Sequence, residues 1–327
     1  MKKLRKMMMA AIAASTMLVG CASEENKDIA KVGVAQIVSH TSLNEIRDAF
    51  TNRMEELGYV DGENIEISYQ DASNQASNLN TIMAEFYDNQ SDVIVAIATK
   101  TAQSAANYAD EIPVVFSAVS DPIEAGLVED LDKPSQNITG TCDEIQIDQM
   151  LELAKTINPD LKKLGFLYDA AEANSVSNLK KAKAYCKENG IELVEATGKD
   201  LTELQSAITA LIDKDVDAIF SPNDNTVASG LAALTDVAKE AKIPYYVGAD
   251  SMVKDGGFAT VGINYTQLGK DTADMVDQIL KGKSVEDIPV KVFKDDLSIY
   301  VSEEYLKVLG IELPEEIKND ENLEMMK

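Results

Sequence analysis

The sequence predicts an α/β protein built from two Rossmann-like domains, each with its own parallel sheet. The prediction rests on a βαβ unit in residues 92–122, on a second series of such units from Gln146, and on polar loops that follow the strands. In the first unit, residues 93–98 and 114–117 are short apolar runs rich in β-branched residues, with an alanine-rich helix between them. Continuous apolar runs of this length are typical of parallel strands covered by helices on both faces.

The remaining strands are expected at similar intervals, with a helix between successive strands. The sequence predicts them at 31–38, 64–70 and 137–141 in the first half, and at 163–168, 191–196, 218–221, 244–247 and 258–264 in the second. A helix at 266–282 and a mixed segment of strands and helices from Val290 follow. Both halves have the rhythm of Rossmann-like domains, although they share no convincing sequence repeat.

The composition excludes several functional classes. A chain of 327 residues is long enough for two domains, and its net charge of −26 disfavours a nucleic-acid partner. No Gly-x-Gly-x-x-Gly opens a helix and no Gly-x-x-x-x-Gly-Lys is present, which disfavours a nucleotide site. His40 is the only histidine, and neither a nucleophile elbow nor a Cys-x-x-Cys or His-x-x-x-His pair is present. We therefore expect no catalysis, no cofactor and no metal.

The N-terminus has the features of an export signal. Residues 1–6 are basic, residues 7–19 are mostly apolar, and the run is too short for a permanent membrane span. The sequence Leu-Val-Gly-Cys that ends at Cys21 resembles the bacterial lipoprotein processing motif. This resemblance implies a signal peptide at 1–20, a lipid on Cys21, a tether at 21–29, and a folded part anchored outside the cytoplasmic membrane.

Polar loops follow the strands at corresponding places in the two halves. They include residues 36–40, 98–103, 117–121, 172–175, 222–226 and 248–251. Ligands of open parallel sheets bind beyond the carboxyl ends of the strands, and helix N-termini there attract anions. If the two sheets face each other through these ends, the loops line one interdomain cleft. The alternative is that their hydroxyl and carboxylate groups only cap the helices.

Four of these segments carry a resemblance to a known family. Residues 96–103 (AIATKTAQ), 116–122 (FSAVSDP), 172–175 (EANS) and 224–226 (DNT) resemble motifs of the substrate-binding lipoproteins of ABC importers related to tryptophan and aromatic amino acid binding proteins. The resemblance covers about residues 31–314. It implies the type I periplasmic-binding-protein fold, in which two α/β domains joined by three crossing segments close on a ligand. It also implies an aromatic amino acid as ligand, and an ABC permease and ATPase as partners of a monomeric binding protein.

With this fold, the two lobes are expected to be discontinuous in sequence. The expected bounds are 30–140 and 252–288 for the N-terminal lobe, 141–251 and 289–316 for the C-terminal lobe, and 317–327 for an acidic tail. The crossing segments are expected near 139–143, 250–252 and 288–292.

A zwitterionic ligand needs an anion site, a partner for its ammonium and a pocket for its side chain. Either Asp224 or Asp250 could pair with the ammonium, although Asp224 could instead be a helix N-cap. Tyr168 and Tyr265 are candidates for contact with an aromatic ring. The expected ligand-binding residues are Gln36, His40, Thr99, Thr101, Ala102, Ser117, Ala118, Asp121, Glu172, Asn174, Ser175, Asp224, Asn225, Thr226 and Asp250. Another amino acid, a nucleoside or a sugar as ligand, or a role as a ligand sensor, stays open.

Overall fold

A computed structural model of the chain describes residues 29–262, 264–293 and 297–327. Strands and helices alternate along most of these residues, and the strands form three sheets. The expected α/β class with two parallel sheets is confirmed, and a small third sheet is added to it. The predicted signal peptide, Cys21 and all but the last residue of the tether lie outside the described residues.

The first lobe is built on a six-stranded parallel sheet. Its strands are β1 (Ala30–Gln36), β2 (Ile65–Asp71), β3 (Val93–Ile97), β4 (Val114–Ser117), β5 (Ile138–Cys142) and β11 (Lys291–Val292), in the spatial order β11-β5-β4-β3-β1-β2. Its helices are α1 (Thr41–Glu56), α2 (Ala76–Asp88), α3 (Thr99–Ala105) and α10 (Tyr265–Leu280). Every residue of β3, β4 and β5 is buried, as expected for strands with both faces covered.

The second lobe contains a four-stranded parallel sheet and the small sheet. The larger sheet has the order β7-β6-β8-β9, formed by β6 (Lys163–Tyr168), β7 (Glu192–Thr197), β8 (Ala218–Ser221) and β9 (Tyr245–Val247). The small sheet has the order β10-β12-β13, formed by β10 (Ala259–Gly262), β12 (Ser298–Ser302) and β13 (Leu323–Met326). The helices are α4 (Ile147–Ile157), α5 (Ala173–Asn189), α6 (Leu201–Ile212), α7 (Asn225–Ser229), α8 (Leu231–Glu240), α9 (Asp250–Lys254), α11 (Glu303–Leu309) and α12 (Glu315–Lys318).

Aromatic packing joins the small sheet to the second lobe. The ring of Phe258, just before β10, lies 5.2 Å from the ring of Tyr246 in β9 and 5.4 Å from the ring of Tyr305 in α11. All three side chains are buried, so the small sheet extends the core of this lobe.

Close packing of α10 on α1 holds the C-terminal part of the first lobe in place. A Cβ atom at Gly269 would lie 2.4 Å from the carbonyl oxygen of Ile46, which is closer than any side chain allows. Glycine at this position therefore lets the two helix backbones approach each other.

The chain passes between the lobes three times. The first passage follows β5, the second connects β10 with α10, and the third connects β11 with β12. The second and third differ from the expected places. Strand pairing is the reason: β10 pairs with β12, which keeps residues 252–262 in the second lobe, and β11 pairs with β5, which keeps it in the first.

The C-terminal residues also differ from the expectation of an acidic tail. Ile317 in α12 is buried, and β13 pairs in parallel with β12 from Leu323 to Met326. These residues are therefore part of the second lobe, because main-chain pairing does not depend on side-chain charge. Among the described residues, no helix has both the length and the apolar character needed to cross a membrane.

Candidate functional site: the cleft between the lobes

A cavity lies between the two lobes, at the carboxyl ends of both parallel sheets. It contains about 320 Å³ of space outside protein atoms, including its opening to solvent. Its lining residues are His40, Ser42, Leu43, Ala98, Thr99, Ala118, Asp143, Asn174, Asn223, Asn225, Ala228, Met252 and Tyr265. This position between domains is where α/β proteins commonly bind small molecules.

Several helices begin at the cavity wall. The starts of α1 and α10 contribute Ser42 and Tyr265, and those of α5 and α7 contribute Asn174 and Asn225. The first backbone N–H groups of a helix have no partner within the helix and carry partial positive charge. The wall is therefore suited to a negatively charged group of a ligand.

The backbone is strained at two points of this wall. Ala98 after β3 has a φ of 77°, and Ala118 after β4 has a φ of 56°. Both are in the left-handed region that residues with a Cβ rarely adopt, and both line the cavity. Strain of this kind persists where the surrounding structure imposes it and is concentrated at binding sites.

Asp143 is the buried carboxylate of the cavity. Its Oδ1 accepts a hydrogen bond of 2.9 Å from the hydroxyl of Ser120, and its Oδ2 accepts from Nδ2 of Asn223 at 2.5 Å and from the hydroxyl of Tyr265 at 2.9 Å. Burial raises the pKa of Asp143, and the hydrogen bonds oppose this shift. No ion pair involves Asp143 within the part of the chain that the structure describes.

A chain of polar contacts crosses the cleft beside the cavity. Nζ of Lys100 in α3 lies 3.0 Å from Oε1 of Glu172, an ion pair that does not meet hydrogen-bond geometry. The other oxygen of Glu172 accepts a hydrogen bond of 2.8 Å from Nδ2 of Asn225, whose Oδ1 lies 3.2 Å from Nε2 of His40. The chain therefore starts and ends on the first lobe and passes through the second.

Further contacts hold the lobes against each other. The hydroxyl of Ser251 donates to that of Ser42 at 2.6 Å, and the hydroxyl of Thr41 donates to Oδ1 of Asp255 at 2.9 Å. Lys180 and Glu124 form another ion pair at the surface. The lobes are thus in a closed arrangement.

The structure places Asp224 differently from an ammonium site. Its Oδ1 accepts from the backbone N–H of Val227 at 2.9 Å, and its Oδ2 accepts from the backbone N–H of Asp169 at 2.8 Å and from the hydroxyl of Ser175 at 2.6 Å. Asp224 is fully buried, and burial followed by the nearby Glu172 raises its pKa to about 7. It is the N-cap of α7 and does not line the cavity, because both oxygens are used within its own lobe.

Five of the expected ligand-binding residues meet at the cavity. They are His40, Thr99, Ala118, Asn174 and Asn225. Asp121 lines a smaller adjoining cavity of about 200 Å³, together with Thr99 and Asn174. Glu172 lies behind the cavity wall in the chain of contacts with Lys100 and Asn225.

The other expected residues do not line this cavity, and all but Thr101, whose buried hydroxyl has no partner among the described residues, bond within one lobe. The hydroxyl of Ser117 contacts that of Thr272 at 2.8 Å, and the backbone N–H of Ala102 donates to the carbonyl of Ala98 at 3.0 Å. Asp250 bonds to Lys254 at 3.0 Å. The remaining members of this group are Gln36, which bonds to Val38, Asn44 and Asp71; Thr101, which is fully buried; Ser175, which bonds to Asp224; and Thr226, which bonds to Asp169.

Several residues of the wall are not among the expected ligand-binding residues. These are Ser42, Leu43, Asp143, Asn223, Ala228 and Met252. Asp143 follows a predicted strand as the other loop residues do, so its position could have identified it. Of the two tyrosines considered for ring contact, Tyr265 lines the cavity, whereas Tyr168 lies outside it and bonds to Glu195.

Comparison with known proteins gives the family. Residues 31–322 match the family described as ABC transporter substrate binding protein. The chain belongs to this family. Its members bind a solute for an ABC transporter and are not enzymes, and the resemblance seen in the sequence is confirmed. Such a protein acts outside the cytoplasmic membrane.

Individual relatives agree with this result. The chain is 37% identical to the tyrosine-binding protein of Clostridioides difficile, over 100% of this chain and 99% of the relative. A Streptococcus pneumoniae structure, described as an ABC domain in complex with L-Trp, is 35% identical with a TM-score of 0.86 and covers 91% of this chain and 99% of its own. The type I binding-protein fold is therefore confirmed.

A second solved structure differs in the arrangement of its lobes. The ligand-free, open structure of a Clostridium difficile substrate-binding protein with adhesive properties is 38% identical and has a TM-score of 0.69, covering 91% of this chain and 99% of its own. Identity is slightly higher than for the L-Trp complex, yet the structural agreement is lower. This chain therefore has lobes arranged more as in the ligand complex, consistent with the contacts across the cleft.

Proposed function

We propose that this chain is the solute-binding component of an ABC importer and that it binds an aromatic amino acid in the cleft. The proposal rests on the environment of Asp143, a buried carboxylate on the cavity wall. Asp143 accepts hydrogen bonds from three side chains and forms no ion pair with any described residue. An α-ammonium group is the cation that would complete this site.

The environment of Asp143 supports an ammonium at this place. Asn174 also lines the cavity, and its Oδ1 is buried with no partner among the described residues, while its Nδ2 donates to the carbonyl of Asn223 at 2.9 Å. An ammonium has three donors and no acceptor, so it can satisfy both the Asp143 carboxylate and this amide oxygen.

Other groups of the wall could bind the carboxylate and the aromatic ring of such a ligand. The start of α1, a helix of 16 residues, supplies unpaired N–H groups for the carboxylate. The side chains of Leu43, Met252 and Tyr265 offer apolar and aromatic contact for a ring. Relatives described as binding tyrosine and L-Trp support the same class of ligand.

We further propose that a lipid on Cys21 anchors the protein to the membrane and that a permease and an ATPase of the transporter are its partners. The basic and apolar start of the sequence supports the anchor, and family membership supports the partners.

The ligand can be tested by calorimetry and thermal shift. Purified protein lacking residues 1–20 would be screened against the twenty amino acids, nucleosides and common sugars. We expect binding of tyrosine, tryptophan or both, with stabilisation that grows with ligand concentration. Binding of a sugar or nucleoside in preference to every amino acid would refute the proposed ligand class.

A further inference from the structure

One nitrogen of the His40 imidazole ring has no hydrogen-bond partner among the described residues. His40 lines the cavity, its Nε2 lies 3.2 Å from Oδ1 of Asn225, and its Nδ1 is buried without a hydrogen bond to any described residue. A buried polar atom left without a partner is costly, so a ligand group is the natural partner for Nδ1.

The contacts of Asn225 determine which nitrogen of His40 carries the proton. Nδ2 of Asn225 donates to Oε2 of Glu172 at 2.8 Å, which fixes the orientation of the amide. Its Oδ1 can only accept, and therefore Nε2 of His40 must be the donor of the 3.2 Å contact. In a neutral imidazole the other nitrogen, Nδ1, is then an acceptor.

The surroundings of His40 keep the ring neutral. Burial lowers the pKa of His40, and this effect outweighs the hydrogen bond to Asn225 and the attraction of Asp255 and Asp71, which raise it. At neutral pH the cavity wall therefore presents an acceptor at Nδ1, which requires a donor from the ligand.

The next step rests on the proposed function. The α-ammonium of an amino acid is assigned to Asp143 and Asn174, so the donor for His40 would come from the side chain. Among the aromatic amino acids, tyrosine has a phenolic O–H and tryptophan an indole N–H, whereas the ring of phenylalanine has no donor.

We propose that Nδ1 of His40 is a specificity-determining acceptor that selects aromatic amino acids with a hydrogen-bond donor on the ring over phenylalanine. Asn225 and Glu172 are positioning residues that hold the required tautomer. Phenylalanine would leave Nδ1 buried and unpaired, and sites built to hydrogen-bond a substrate group discriminate against analogues that lack it.

The test compares dissociation constants for tyrosine, tryptophan and phenylalanine in the wild type and in His40→Leu. We expect the wild type to bind the tighter of tyrosine and tryptophan roughly 5- to 150-fold better than phenylalanine. His40→Leu removes the acceptor, so this ratio should fall to within about threefold of unity, mainly through weaker binding of the donor-carrying ligand.

Two further variants separate specificity from lobe closure and folding. Lys254→Met removes the ion pair with Glu45 across the cleft and lies outside the chain of contacts that positions His40, so it should lower affinity for all three ligands and leave the ratio unchanged. Asn225→Leu removes the group that fixes the tautomer, so it should reduce the ratio and provides a second test if His40→Leu does not fold.

The outcomes distinguish this inference from the proposed function. Phenylalanine binding as tightly as tyrosine and tryptophan to the wild type would overturn the role of His40 and leave the proposed function standing. Equal losses for all three ligands in His40→Leu would also overturn it, because His40 would then act on a group common to all amino acids or on closure. Failure of all three to bind the wild type would overturn both.

Discussion

The hydroxyl of Tyr265 donates a hydrogen bond of 2.9 Å to Oδ2 of Asp143, and this contact joins two of the segments that connect the lobes. Asp143 directly follows β5, and Tyr265 begins α10 after the passage from β10. Asn223 of the second lobe donates to the same oxygen at 2.5 Å. A ligand that contacts Asp143 would therefore act on the hinge and on both lobes at once.

We expect Asp143→Asn to weaken amino acid binding strongly. Loss of one partner of a buried charged hydrogen bond costs about 2–5 kcal/mol of binding free energy, or roughly 30-fold to several thousand-fold in affinity. Calorimetry with tyrosine and tryptophan measures this change. Asp224→Asn is the matched control, since its carboxylate is also buried but bonds within its own lobe, and it should lower the melting temperature while retaining affinity. If Asp224→Asn lost affinity and Asp143→Asn kept it, Asp224 and not Asp143 would be the partner of the ammonium.

Asp224 should make the stability of the protein depend on pH. Its pKa is about 7 in the folded state against 3.8 ordinarily, so between these values the folded protein binds more protons than the unfolded chain. The contribution of Asp224 to the free energy of unfolding is therefore present below about pH 4 and is lost as pH rises through 7.

The asparagine variant provides the measurement. Asp224→Asn removes this titration, so its loss of melting temperature relative to wild type should be larger at pH 5 than at pH 8. A difference in melting temperature that stays constant across this range would show that Asp224 does not change its protonation state between pH 5 and pH 8 and would contradict the pKa near 7.

The Lys100–Glu172 pair is expected to favour closure. Glu172 is fully buried, and Lys100→Met would leave its carboxylate without the cation in the closed form. Because the Lys100 side chain is 24% exposed, we expect a loss of only about 1–2 kcal/mol, or roughly 5- to 30-fold in affinity for any ligand.

Scattering and a surface control complete this test. Small-angle X-ray scattering should show that Lys100→Met requires more ligand than wild type to reach its compact form. Lys180→Met breaks the surface pair with Glu124 and should change affinity by less than about threefold. Equal effects of the two variants would argue against a special role for the buried pair.

Gly269→Ala should destabilise the first lobe. The added Cβ would lie 2.4 Å from the carbonyl oxygen of Ile46, so α1 and α10 would have to move apart. Overpacking of this kind costs about 1–3 kcal/mol, measured as a lower midpoint of denaturant unfolding. Gln267→Ala, at an exposed position of the same helix, should shift the midpoint by less than about 0.5 kcal/mol. An unchanged midpoint for Gly269→Ala would show that the helices can separate at little cost.

Cys21→Ser should abolish lipid anchoring. The variant keeps the basic and apolar segments of the proposed signal peptide but lacks the sulfur to which a lipid would attach. Growth of expressing cells with a radiolabelled fatty acid should label the wild type and leave the variant unlabelled, with the variant unprocessed or released from the membrane. Equal label in both proteins would exclude Cys21 as the site.

Local patterns in the sequence were sufficient to predict the fold class and most elements. Runs such as Val114–Ser117 and Lys163–Tyr168 are strands because apolar β-branched and aromatic residues favour a pleated, covered environment. Polar residues after such strands pointed to the cleft, and His40, Thr99, Ala118, Asn174 and Asn225 do line it. These features depend on residues that are close together in the sequence, so they can be predicted without knowledge of the fold.

The tertiary structure alone decided which carboxylate faces the cavity. Asp143 and Asp224 both follow strands, and their sequence contexts give similar indications of function. The difference arises from partners distant in sequence: Asp169 and Ser175 occupy Asp224, whereas Tyr265 and Asn223 hold Asp143 at the cavity wall. Likewise, β10 belongs to the second lobe because it pairs with β12, and β11 belongs to the first lobe because it pairs with β5. Long-range pairing of this kind follows from the packing of the whole chain, and no local pattern of residues specifies it.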